Sequence, residues 1–185
     1  MSTFFTSDLH FFHKNVIEYC DRPWDFENQT AELIARWNSR VQPGDTVVSL
    51  GDFAFAGPSK FAVVSEILDQ LNGEKFIVRG NHCDKKLWAR LAARADILEV
   101  TDYAEFKINK QKICMSHYPM VVWNGSHYGS WMLHGHCHGS YQPTHGRILD
   151  VGIDNHPERT VWTFEEIEEF MSARVWRAED HHVDR

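Results

Sequence analysis

Along the first half of the chain, short runs of β-branched and aromatic residues alternate with stretches whose apolar positions recur at i, i+3, i+4 and i+7. Thr3 to Thr6 reads as a first strand, and Leu33, Ile34 and Trp37 share one face of a helix expected from about Glu27 to Trp37. Pro43-Gly44-Asp45 marks a turn, and Thr46 to Leu50 follows as a buried strand. Ser59 is expected to cap a helix carrying Phe61, Val64, Ile67, Leu68 and Leu71 on one side, which Asn72-Gly73 stops. Lys75 to Arg79 gives a third strand, and Leu87, Trp88 and Leu91 give a short helix. Strand and helix in alternation predict an α/β fold.

From Ile97 onward the pattern becomes strand-rich. Tyr103 to Ile108 and Lys112 to Met115 flank a polar Asn109-Lys110-Gln111 turn and predict a hairpin. Trp131 to Leu133 and Arg147 to Val151 read as further strands. Thr163-Phe164-Glu165-Glu166 is a capping box opening a final amphipathic helix to about Ala173. The tail from about residue 178 is expected to be loose. With 185 residues and no internal repeat, linker or low-complexity segment, the chain reads as one domain over 1–185.

Composition narrows the class. Hydrophobic residues make up 43% and charged residues 24%, which excludes disordered, collagen-like and coiled-coil chains. Nineteen Lys and Arg against 26 Asp and Glu leave a formal charge of −7, so no long duplex nucleic acid is expected as a partner. No apolar run is long enough to span a membrane, and Met1 to Asp8 lacks the basic start and apolar region of a secretory signal. Cys20, Cys83, Cys114 and Cys137 show no Cys-x-x-Cys spacing and read as reduced thiols. The expectation is a cytoplasmic protein. Six of the twelve histidines (His117, His127, His134, His136, His138 and His145) crowd into a stretch from Ile113 to Gly146 that holds no charged residue, a clustering that points to metal ligands.

The candidate chemistry follows the strands. Asp8-Leu9-His10, Gly51-Asp52, Gly80-Asn81-His82, His117 and Gly135-His136-Cys137-His138 each come directly after a predicted strand, where loops of an open α/β sheet converge on a crevice. In an extended segment Asp8 and His10 point to one side, as do His136 and His138. Glycine beside Asp52, Asn81 and His136 lets the backbone turn tightly. Carboxylate, imidazole and amide oxygen together suit divalent transition metals, manganese first, with iron, zinc or nickel as alternatives. Asp8, His10, Asp52, Asn81, His117, His136 and His138 make seven ligands, too many for one tetrahedral ion and suited to two ions sharing a carboxylate. Paired ions of this kind serve phosphoester hydrolysis.

The ordered set Asp-x-His, Gly-Asp, Gly-Asn-His, lone His and Gly-His-x-His resembles the calcineurin-like metallophosphoesterases. The resemblance runs from about Phe4 to Asp154, and Asp8-Leu-His-Phe-Phe-His-Lys-Asn15, Ser116-His-Tyr-Pro119 and Asp150-Val-Gly-Ile-Asp154 resemble the small bacterial and phage members. It implies a β-sandwich flanked by helices, in four layers α/β/β/α. It implies one metal on Asp8, His10, Asp52 and His138, and a second on Asp52, Asn81, His117 and His136, with Asp52 as the bridge. A hydroxide between the ions would attack phosphorus, His82 would protonate the departing oxygen, and Asn81 would steady the transition state. One departure stands out: the family places Asp or Glu directly after this histidine, whereas here Cys83 precedes Asp84.

Arg79, Tyr118, Trp123 and His127 lie near the motif loops and are candidate substrate contacts, Tyr118 and Trp123 for stacking a base. The expected activity is hydrolysis of phosphodiesters of nucleotide or short oligonucleotide type. Alternatives are a phosphomonoesterase on the same site and a non-catalytic metal-binding scaffold module.

Overall fold

Side chains along Thr3–Thr6 (β1), Thr46–Ser49 (β2) and Glu74–Val78 (β3) serve two apolar surfaces at once, and that alternation builds the molecule, while Ile97–Thr101 (β4) adds Ile97 and Val100 to the helix-facing side. β1 to β4 pair in parallel, and Trp162–Thr163 (β9) adds an antiparallel edge, giving the order β4-β3-β2-β1-β9. Phe4, Val47 and Ile77 face the helices Phe26–Asn38 (α2), Phe61–Gln70 (α3) and Lys85–Leu91 (α4), where Leu33, Trp37, Val64, Leu68 and Trp88 are buried. Phe5, Val48, Phe76 and Val78 face the other way, onto Ile113, Met115, Leu133 and Leu149 of a second sheet. That sheet comprises Tyr103–Ile108 (β5), Gln111–Ser116 (β6), Trp131–His134 (β7) and Ile148–Asp150 (β8) in the order β5-β6-β7-β8, parallel from β6 onward. The helix Phe164–Ser172 (α5) inserts Phe164, Ile167 and Met171 into the core between the sheets. The result is the expected α/β sandwich of two sheets flanked by helices. A short helix, Val16–Tyr19 (α1), follows β1.

The computed structural model describes residues 1–143 and 146–174, so His145 and the expected loose tail lie outside the described residues. Among the described residues no helix is long and apolar enough to cross a membrane.

Several local readings change. Ser59 does not cap α3; it lies inside a 3₁₀ turn, Pro58–Lys60, and the cap position falls to Lys60, which makes no side-chain cap bond. Gln111 opens β6 opposite Ile108, leaving a two-residue turn in which Asn109 and Lys110 have φ of 49° and 68°. Positive φ at both central residues matches the twist of the flanking strands. β4, β9 and α1 are too short or too weakly patterned to be read from spacing. Lys75, on the helix-facing side of β3, is 1% exposed, and its Nζ donates to the carbonyls of Leu68 (3.2 Å) and Leu71 (2.7 Å) while pairing with Asp96 (3.1 Å). It caps the end of α3, sharing Leu68 O with the Leu71 N–H (3.3 Å) and taking Leu71 O directly.

Because β1, β2, β3, β6, β7 and β8 run in the same sense within their sheets, all the motif loops leave the carboxyl ends of strands. A bridge between Ser7 and Gly152, with Ile153 N–H donating to Ser7 O (3.0 Å), joins the two sheets at that end.

Candidate metal centre

Asp8 and His10 leave β1 with φ of 57° and 54°, Asp52 leaves β2 at 49°, and His136 and His138 leave β7 at 70° and 48°. The Asp8/His10 and His136/His138 pairs are therefore not extended, which corrects the geometric reason given for their convergence. Left-handed backbone is sparsely populated for non-glycine residues, least so for Asp, Asn and His, and its clustering at strand ends marks a functional region. Backbone bonds hold it in place: Asp8 N–H donates to Gly51 O (3.0 Å) and His10 N–H to Asp52 O (2.9 Å).

The carboxylates are oriented by amides of the other motifs. His136 N–H donates to Asp8 Oδ2 and His82 N–H to Asp52 Oδ1, both at 2.9 Å. The free edges then face the imidazoles. His10 Nε2 lies 3.7 Å from Asp8 Oδ1 and 3.8 Å from Asp52 Oδ2; His117 Nε2 lies 3.4 Å from Asp52 Oδ2; His138 Nε2 lies 3.9 Å from Asp8 Oδ1. These separations exceed hydrogen-bond length, yet they match donors arranged around an ion with bonds of about 2.0–2.2 Å. Asp8 Oδ1 and His10 Nδ1 are buried without a hydrogen-bond partner, which would cost about 1–3 kcal/mol each if nothing engaged them. An unpartnered buried carboxylate oxygen ringed by imidazoles fits a divalent cation. The ligand atoms form two compact groups, Asp8 with His10 and His138, and Asp8 with Asp52 and His117.

His117 donates Nδ1–H to Leu50 O (2.8 Å), which turns Nε2 toward Asp52 and Asn81 Oδ1, the latter at 2.9 Å. His136 is the outlying member of the seven: its ring is exposed, 5.2 Å from that of His117 and 4.6 Å from that of Tyr118. Electrostatics follow burial. Burial pushes the Asp8 carboxyl up to about 6 against the pull of His138 and His117, and pushes His10 down to about 3 despite Asp52. Burial opposes charge on His117 too, but the Asp52 carboxylate 3.4 Å away, with Asp8 beside it, outweighs that and raises it. At Asp52 burial again favours the neutral form, and His117 with the His82 amide overcomes it, holding the carboxyl below its ordinary range.

A cleft of about 560 Å³ opens over this cluster, lined by residues that include His13, Tyr19, Asp52, Asn81, His82 and His136. The His82 ring packs 5.5 Å from His10 and 5.4 Å from Phe55. Asp84 does not turn toward it: Oδ1 accepts from Leu87 N–H (2.8 Å) and caps α4. Cys83 is buried in the helix-side core.

Of the expected substrate contacts, Tyr118 stands at the site, half-exposed, with its hydroxyl donating to Asn81 Oδ1 (3.3 Å). Arg79 is turned away into a bidentate pair with Asp102 at 2.8 and 2.7 Å. Trp123 is buried against Cys114, Met132 and Ile148 on the outer face of the second sheet, its indole N–H donating to Ser130 O (3.1 Å). His127 lies in a 3₁₀ turn just before β7, hence toward the strand end opposite the site, with its ring 4.1 Å from that of Tyr128. Two residues at the centre were not placed there by motif spacing. Asp154 accepts from His138 Nδ1 (2.7 Å), and Arg22 is buried behind it. Arg22 lies among other polar residues with nothing local to single it out, and Asp154 is marked only by the Asp150-Val-Gly-Ile-Asp154 run.

Comparison with known proteins agrees with this geometry. The family model described as calcineurin-like phosphoesterase matches residues 1–179. The chain is 33% identical over 136 residues to an uncharacterized protein of Methanocaldococcus jannaschii, covering 73% of this chain and 68% of that one. It is 29% identical over 181 residues to the gene 66 protein of Mycobacterium phage L5, covering 83% and 86% of the two chains. A solved structure of a protein of unknown function from Aquifex aeolicus superposes with a TM-score of 0.69 at 21% identity, over 91% of this chain and 98% of that one, and shows the same fold. The chain belongs to the calcineurin-like phosphoesterase family, whose members are metal-dependent phosphoesterases.

Proposed function

We propose that the protein is a dinuclear metal-dependent phosphodiesterase acting on nucleotides or short oligonucleotides. The observation that carries the metal centre is the pair of ligand-atom groups meeting at Asp8, with Asp52 Oδ2 between the imidazoles of His10 and His117. Asp8, His10 and His138 would hold one ion, His117, Asn81 and His136 a second, and Asp52 would serve both. Divalent ions bound there supply Lewis acidity toward the phosphoryl oxygens and a nucleophile at neutral pH. Burial keeps His10 neutral, so its ring nitrogen is free to ligate. The His82 amide fixes Asp52, while its ring, which lines the cleft, would protonate a departing alkoxide. Tyr118 orients Asn81 through their hydrogen bond. The diester preference draws support from the cleft lining, which includes no Lys or Arg among the described residues. A monoester dianion favours such cations, whereas a diester carries a single charge.

The test is hydrolysis of bis-p-nitrophenyl phosphate and p-nitrophenyl phosphate by chelator-stripped protein with manganese restored. Diester turnover should return with the metal and vanish in Asp52→Ala. His82→Ala should lose roughly 10²- to 10⁴-fold on an unactivated dinucleotide, and much less on a nitrophenyl ester, whose leaving group needs no proton. Faster turnover of the monoester would overturn the diester preference. No turnover of any ester by protein carrying two ions would overturn the catalytic reading.

A further inference from the structure

His138 belongs to two clusters of ligand atoms at once. Its Nε2 faces Asp8 at 3.9 Å, while its Nδ1 lies 2.7 Å from Asp154 Oδ2 and 3.2 Å from Cys20 Sγ. The position of one imidazole proton decides which cluster can take an ion. Asp154 is buried, its side chain 3% exposed, and both oxygens are engaged by cations: Oδ1 accepts from Arg22 Nε (2.9 Å) and Arg159 Nη1 (2.8 Å), and Oδ2 from Arg22 Nη2 (2.8 Å). Paired with two guanidiniums, the carboxylate is an acceptor only. The His138 nitrogen beside it must donate, so the neutral ring, the form that ligates, carries its lone pair on Nε2, toward Asp8.

Arg22 does more than hold Asp154. Its side chain is fully buried, and Nη1 donates to Leu9 O (2.8 Å) and Nη2 to Asp8 O (2.7 Å). One guanidinium therefore ties the carbonyls of the strained loop after β1 to the carboxylate that orients the last histidine of the loop after β7.

We propose that Asp154 and Arg22 are positioning residues of the metal centre: Asp154 commits His138 to ligate through Nε2, and Arg22 locks the Asp8–His10 loop against it. Cys20 and Asp154 then form the support around His138 and not a third ion site. The inference rests on reading Asp8, His10 and His138 as ligands.

Manganese binding to the full chain, followed by paramagnetic resonance of the free ion, tests it without reference to activity. The wild-type chain should bind two ions, and Asp154→Ala should bind one of them roughly 10- to 100-fold more weakly. Asp154→Asn, which keeps an acceptor for the Nδ1 proton, should restore most of that loss. Asp154→Ala strands a buried guanidinium, which the double variant Arg22→Met/Asp154→Leu removes; because that variant also frees the Asp8 and Leu9 carbonyls from Arg22, it should bind the ion more weakly still than Asp154→Ala, with its circular dichroism showing a retained fold. In long-range ¹H–¹⁵N spectra of the zinc-loaded chain, His138 should carry its proton on Nδ1. Zinc on Nδ1, or a double variant binding both ions at wild-type affinity, overturns the inference. A wild-type chain that binds no ion overturns it together with the metal centre, whereas two bound ions without ester hydrolysis count against the catalytic reading alone.

Discussion

At the scale of single residues, the centre depends on how closely two glycines let neighbouring motifs approach. A Cβ at Gly80 would collide with the Asp52 carboxylate, and one at Gly135 with Ser7 and the Asp8 carboxylate. Neither residue has a positive φ, so the requirement is space and not a tight turn. Gly80→Ala should push Asp52 off its His82 amide and weaken ion binding by roughly 10- to 100-fold with the overall fold retained, checked by calorimetric manganese titration alongside circular dichroism. Unchanged affinity would show that the carboxylate has slack the structure does not suggest. These glycines were legible beside each ligand, but the reason for them was not, because the colliding atom belongs to a loop dozens of residues away. Arg79 and Trp123 went astray for the same cause: their types suit a substrate wall, but Asp102 and the outer face of the second sheet claimed them.

At the scale of elements, local sequence was most reliable where a helix end satisfies itself. The capping box of α5 forms as read, with Glu166 N–H donating to Thr163 Oγ1 (3.1 Å) and Thr163 N–H to Glu166 Oε2 (2.8 Å). Thr163→Ala should lower stability by about 1 kcal/mol in urea denaturation. Glu166 also takes a bidentate contact from Arg40 at 2.8 and 2.6 Å. Burial resists its charge, but Arg40 and the Thr163 amide bring its carboxyl down to about 2 from an ordinary 4.5. A carboxyl lowered on folding stabilises the protein above its unfolded value and loses that contribution as pH falls through the folded one. The stability gap between wild type and Glu166→Gln should therefore be full at pH 7 and shrink between pH 4.5 and about 2; equal gaps at pH 7 and pH 3 would remove Glu166 as the cause. α1, with four residues, and β9, with two, carry too few positions for any period to emerge, and tertiary contacts alone define them.

At the scale of the whole molecule, the centre stitches two sheets together, so an ion there should stabilise the entire sandwich. Manganese at a hundred times its dissociation constant should add about 2.7 kcal/mol, or roughly 5 to 10 °C in melting temperature, and excess chelator should remove the gain. The sign with pH follows from Asp8. Burial raises its carboxyl from 3.8 to about 6, so the metal-free chain loses stability as pH rises through that window while the ionised ligand becomes available. The manganese-induced rise should be larger at pH 7.5 than at pH 5 by differential scanning fluorimetry. Equal rises would exclude a buried carboxylate as the dominant ligand.

The order and identity of the candidate ligands were determined by the sequence itself, because each is local: a buried strand ends, and the first polar residues after it have nowhere to go but the crevice. The α/β alternation was legible for the same reason, since periodicity is a property of neighbouring positions. Only the tertiary structure decided which residues support the ligands and which wall the cleft. Arg22 and Asp154 lie 132 positions apart and meet behind His138, while Trp123 lies six positions from His117 and packs elsewhere. Contacts of that range depend on how two sheets stack and where their connections run, and no spacing along the chain encodes them.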